Sequence, residues 1–108
     1  MSTIEKATIQ FANDIKNSDI YQEYRNNLNI IKQDAVLYEK TNEYRLKSFE
    51  LQTLDHTDDL LDKIDRLELE YESIVGNPLV SDFLRAELSF CRMMQDINNT
   101  ITAILDFE

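Results

Sequence analysis

The sequence predicts an all-α protein, on three observations. Its 108 residues hold one glycine and one proline, far fewer than the turn residues that a sheet or a set of long loops requires. Apolar side chains recur three and four positions apart through almost the whole chain, which is the spacing of one helix face. With 43% hydrophobic and 30% charged residues, the chain has enough apolar surface to pack those helices and lies outside the composition of disordered polypeptides. The length suits one domain over residues 1–108.

Each element then has its own signal. Ser2-Thr3-Ile4-Glu5 has the Ser-x-x-Glu spacing of a capping box, and the first helix behind it carries Ile4, Ala7, Phe11, Ala12 and Ile15 on one face. Asn17-Ser18-Asp19 interrupts it, with Ser18 as the cap of a second helix whose face is Ile20, Tyr24, Leu28 and Ile31. Asp34 caps a third, with Leu37, Tyr44, Leu51 and Leu54 at heptad-like spacing. Near Asp55-His56-Thr57-Asp58-Asp59 the pattern slips, and Thr57 with two acids behind it reads as a new helix start. The fourth helix turns Leu60, Leu61, Ile64, Leu67, Tyr71 and Ile74 inward. Gly76-Asn77-Pro78 then joins a helix-ending glycine, a capping asparagine and a first-turn proline. One helix stops and the next begins with almost no loop, as in an αα-hairpin.

The last helix, from Pro78 to about Asp106, has the cleanest pattern. Val80, Glu87, Met94 and Ile101 occupy a positions of a heptad, Phe83, Phe90, Ile97 and Ile104 the d positions, and Leu84, Cys91 and Leu105 widen the stripe. About 29 residues at 1.5 Å each span about 43 Å, whereas a compact domain of this length is roughly 34 Å across. A helix of some 18 residues before it covers only about 27 Å of that stripe. The remainder falls to the third helix, the N-terminal pair or a second copy, and the expectation is an elongated helical hairpin or bundle, completed by self-association and most simply a dimer, with the stripe as its contact surface. Glu87 stands out there, since burying its charge unpaired is costly. It is expected to meet an arginine such as Arg45 or Arg25, or a second copy, where a polar a position fixes register.

Charge and motifs exclude several functions. The formal net charge of −10 disfavours direct binding to nucleic acid and to anionic membrane surfaces. Residues 1–54 hold 7 basic and 8 acidic side chains, and residues 55–108 hold 4 and 13, so a basic partner is steered to the second half. No secretory leader and no long apolar run is present, and the single cysteine implies no oxidising compartment, so a cytoplasmic location is expected. The cluster Asp55-His56-Thr57-Asp58-Asp59 has the residue types of a divalent-metal or acid–base site. With no second histidine in the chain, it reads rather as a solvated loop. Asp58, Asp62, Asp65, Glu68 and Glu72 form an acidic stripe that serves either a basic partner or simply the outer face of a helix. Ser18, Ser48, Ser81 and Ser89 have no nearby histidine for a nucleophilic relay, and there is no phosphate-binding glycine loop. No enzyme activity, catalytic residue or metal is expected.

Three segments carry a family resemblance: Thr41-Asn42-Glu43-Tyr44-Arg45-Leu46-Lys47-Ser48-Phe49-Glu50-Leu51-Gln52, Gly76-Asn77-Pro78-Leu79-Val80-Ser81-Asp82-Phe83-Leu84-Arg85-Ala86-Glu87, and Phe90-Cys91-Arg92-Met93-Met94-Gln95-Asp96-Ile97. The Asn-Pro followed by Phe-Leu-x-Ala-Glu is the most specific part. With these, nearly the whole chain resembles the YlbF/YmcA family. The resemblance implies a small helical bacterial protein, often oligomeric and without catalytic activity. It also implies a regulatory subunit of a complex that influences ribonuclease Y and messenger RNA maturation, with effects on competence, sporulation and biofilm formation. Some complexes of the family carry iron–sulfur clusters, which need several thiolates. This chain offers Cys91 alone, so no cofactor is expected on it. The function expected is that of a non-enzymatic regulatory or adaptor protein, the alternative being a chaperone-like or structural helical module that holds a basic client.

Overall fold

Ser2 opens the first helix as the sequence suggests: its hydroxyl accepts the N–H of Glu5 at 3.1 Å. The computed structural model describes residues 2–54 and 58–106, without the side chain of Leu54. Six helices follow one another: α1 (Thr3–Lys16), α2 (Asp19–Lys32), α3 (Ala35–Leu54), α4 (Leu60–Glu70), α5 (Glu72–Val75) and α6 (Pro78–Leu105). No strand occurs among the described residues.

The starts of α2, α3 and α6 rest on the expected short polar side chains, which satisfy N–H groups that have no partner within a helix. Ser18 Oγ accepts from the Tyr21 N–H at 3.3 Å, Asp34 Oδ1 from Leu37 at 3.0 Å, and Asn77 Oδ1 from Leu79 at 2.9 Å. Thr57, expected to cap the fourth helix, lies outside the described residues; Asp59 stands before Leu60 with no side-chain capping bond.

Two features differ from the expected pattern. The fourth helix is broken at Tyr71, whose φ of −105° and ψ of 26° leave the helical region and separate α4 from the single turn of α5. Gly76 ends α5 at φ −78°, so a left-handed conformation is not what favours glycine there. A Cβ at that position would stand 3.1 Å from the Glu72 carbonyl oxygen, tighter than ordinary contact.

The chain groups into two compact units. The first comprises Met1–Leu28 and Phe83–Glu108, the second Asn29–Asp82. In the first unit the aromatic rings of α2 and α6 make the packing. Tyr24 stacks on Phe90 at 5.2 Å between centroids, with 8° between planes, and on Phe83 at 6.2 Å. Tyr21 tilts against Phe90 at 5.4 Å. Leu28, Phe83 and Ala86 are buried. Such pairs add about 0.5–1.5 kcal/mol beyond the area they bury.

In the second unit α3 packs on α4 and α5, with Ile31, Leu37, Thr41, Leu67, Tyr71 and Val80 buried. Thr41 is the one buried polar residue among those described, and its hydroxyl donates to the Leu37 carbonyl at 2.8 Å. A hydroxyl bonded back to the preceding turn can be covered without an unpaired group.

Candidate interaction surface

The apolar stripe of α6 changes character along its length. Val80 and Phe83 are fully covered within the single chain; Leu84, Glu87, Phe90 and Ile97 are half-buried; and Cys91, Met94, Ile101 and Ile104 are exposed. Exposure reaches 39% at Met94, 46% at Ile101 and 78% at Ile104. The ten residues singled out by spacing therefore divide into an internal anchor near Pro78 and an uncovered apolar ridge towards Leu105. Glu87 sits between the two parts, half-covered rather than sealed in the core.

The first helix shows the same condition. α1 has no buried residue, and Ile4, Ile9 and Phe11 are 78%, 48% and 42% exposed. Its expected inward face, Ile4, Ala7, Phe11, Ala12 and Ile15, is covered at Ile15 alone, and there only in part. Leu61 on α4, expected to point inward, is 76% exposed. The helix begins at Leu60, and Ile64 and Leu67 take the inward positions.

Electrostatics divide the two units. Met1–Leu28 with Phe83–Glu108 hold 5 basic and 8 acidic side chains, net −3, and Asn29–Asp82 hold 6 and 13, net −7. The exposed apolar ridge of α6 and the exposed face of α1 thus belong to the less acidic unit.

In the acidic unit Lys47 reaches across to the break between α4 and α5. Its Nζ is 3.6 Å from Glu70 Oε1 and 5.1 Å from the centre of the Tyr71 ring, and Tyr44 tilts against Tyr71 at 5.7 Å. The hydrogen bond with the Tyr71 side chain, then the charge of Glu70, hold the Lys47 ammonium above its ordinary pKa despite partial desolvation. Burial, then the Glu68 carboxylate, push the Tyr44 phenol up. These contacts gather at the bend at Tyr71. Sequence spacing does not reveal them, because Lys47 and Tyr71 are 24 positions apart and meet only once α3 lies on α4.

Asp55, His56 and Thr57 of the acidic cluster lie outside the described residues, and Asp58 and Asp59 are exposed. Among the described residues no group of three or more His, Cys, Asp or Glu side chains is placed to hold a metal ion. The single thiol, Cys91, is exposed and does not provide the several thiolates of an iron–sulfur cluster. No helix among the described residues is long and apolar enough to cross a membrane.

No solved structure matches the chain. A UPF0342 protein of Desulfitobacterium hafniense (strain Y51) is 33% identical over 109 aligned positions, 98% of this chain and 87% of the relative. The family described as "Control of competence regulator ComK, YlbF/YmcA" matches residues 4–106. Over residues 4–106, from the first turn of α1 to the end of α6, the chain therefore belongs to the YlbF/YmcA family, whose described role is regulatory.

Proposed function

We propose that this protein is a non-enzymatic regulatory or adaptor subunit that acts through helix–helix contacts, beginning with a second copy of itself. The observation that carries the reading is the ridge of α6 from Met94 to Ile104, exposed at Met94, Ile101 and Ile104 and half-buried at Ile97, together with an α1 that has nothing buried. Exposed apolar side chains at helical spacing mark interaction surfaces when they are contiguous, whereas scattered ones do not. A second copy is favoured as the occupant because the ridge lies in the unit of net −3, where like charges oppose pairing least. Heptad spacing along one helix of 28 residues also suits an identical partner.

Family membership supports a regulatory role, and the finer reading is a place in a complex that modulates ribonuclease Y and messenger RNA maturation. Its test is recovery of the tagged full chain from its native cell, beside the Ile101→Gln/Ile104→Gln variant. The wild type should enrich a defined set of proteins that includes ribonuclease Y, and the variant should lose them. Equal recovery of the same proteins by both would overturn the ridge as the contact. A broad, salt-sensitive set in place of a defined one would instead favour a chaperone-like holder of basic clients, a reading to which the net −7 of the second unit lends some support.

A further inference from the structure

Helix α3 carries apolar side chains on two faces, and among the described residues the second is half-buried at Tyr38 and exposed at Ala35, Leu46 and Phe49. Leu37, Thr41, Tyr44, Ser48 and Leu51 form the covered or half-covered face. Roughly half a turn away, Ala35, Tyr38, Asn42, Leu46 and Phe49 follow one another at steps of 3, 4, 4 and 3 residues. On this second line Leu46 is 60% and Phe49 63% exposed. Its first three turns, with Lys32 from the end of α2, line an open groove of about 470 Å3. Single exposed leucines are ordinary, but a line of this spacing is the anchor pattern by which one helix receives another.

The groove has an acidic edge. Glu39, Glu43 and Glu50 project along one side of the line, as their angles at 100° per residue require. Lys40 stands 3.4 Å from Glu43 and offsets part of its charge. Glu39 and Glu50 have no ion pair among the described residues. On the other side Arg45 donates to Asn42 Oδ1 at 2.9 Å, and the Lys32 ammonium lies 5.7 Å from the Tyr38 ring centre. A second copy would bring one unit of net −7 against another, so charge argues for a different partner.

We propose that the outer face of α3 is the docking groove for a basic amphipathic helix of a partner protein. Ala35, Tyr38, Leu46 and Phe49 receive its apolar ridge, and Glu39, Glu43 and Glu50 face its lysines or arginines. From Ala35 to Phe49 the line is about 21 Å long, which fits a partner helix of about four turns. The inference rests on the reading that the protein works through helix–helix contacts, and adds a second surface and the chemistry of what it takes.

The probe is an 18-residue leucine–lysine peptide with leucine at i, i+3, i+4 and i+7, titrated into the full chain by fluorescence anisotropy. A scrambled peptide of the same composition and a leucine–glutamate peptide of the same pattern are the controls. The patterned basic peptide should bind at least tenfold tighter than either. Leu46→Gln/Phe49→Gln and Glu39→Gln/Glu50→Gln should each weaken it about tenfold while leaving the chain's own sedimentation unchanged. Amide shifts in labelled protein should concentrate on residues 35–50. Equal binding of patterned and scrambled basic peptides, or shifts on α4 or α6 instead, overturns the proposal. So does a Leu46→Gln/Phe49→Gln variant that changes self-association but not peptide binding. Failure here with self-association intact refutes the α3 groove alone; a monomer that binds no helix refutes the general reading as well.

Discussion

Replacing Ile101 and Ile104 by glutamine removes the outer end of the α6 ridge while leaving formal charge unchanged. Glutamine is also a better helix former than isoleucine, so the helix itself is not weakened. The two side chains are 46% and 78% exposed, together a little more than one whole isoleucine of uncovered surface in each copy. Full burial of such a side chain contributes about 1.5–3 kcal/mol, so covering these two contributes about 2–4 kcal/mol per copy. A symmetric pair uses the same patch twice, for about 4–7 kcal/mol in all. At about 1.4 kcal/mol per tenfold change, the dissociation constant should rise by roughly three to five orders of magnitude. Sedimentation equilibrium across the micromolar range measures it, with far-UV circular dichroism confirming that helix content is kept. Leu88→Gln is the matched control, because Leu88 is 50% exposed on the same helix but falls at a b position off the stripe, and it should leave the constant nearly unchanged. A wild-type chain that sediments as a monomer throughout, or a double variant that pairs as tightly as wild type, would refute the reasoning.

Three further outcomes concern the fold. Phe83→Ala, at a ring 1% exposed and stacked on Tyr24, should cost about 3–5 kcal/mol of stability in urea unfolding, the usual range for emptying an aromatic core site; a loss below about 1 kcal/mol would show that the site is not a core. Asn77→Ala removes the oxygen that accepts the Leu79 N–H and should cost about 1 kcal/mol by the same measurement, and an unchanged midpoint would mean that another group caps α6. At alkaline pH the sign follows from two raised pKa values: the native state holds the Tyr44 and Lys47 protons more tightly than the unfolded chain does. That stabilisation is complete below about pH 10, where both states are protonated, and is lost as pH rises through the native pKa values. Thermal melts at increasing pH should therefore fall above about pH 10, and Tyr44→Phe should fall less steeply than wild type; equal slopes would exclude Tyr44 as a cause.

The helical class and most element starts were legible in the sequence because they rest on local rules. Ser2, Ser18, Asp34 and Asn77 all cap where their position suggests, since a cap needs only a short acceptor two or three residues before an N–H that has no partner in the helix. The face of α2 was legible at Tyr24, Leu28 and Ile31, whereas Ile20 is 38% exposed. The break at Tyr71 was not legible, because heptad spacing continues through it from Leu67 to Ile74. The bend is accompanied by contacts from Lys47 and Tyr44, which local pattern does not contain.

Along α6 the division of labour ran the same way. Spacing alone determined that Val80 through Ile104 form one stripe, because a straight helix keeps residues three and four apart on one side. Which part of that stripe is core and which is surface depends on the elements that pack against it. Val80 and Phe83 are covered and Ile104 is not, and the two ends carry the same kind of side chain. Burial depends on which neighbours arrive, and a periodic pattern states that a face wants covering without stating what covers it.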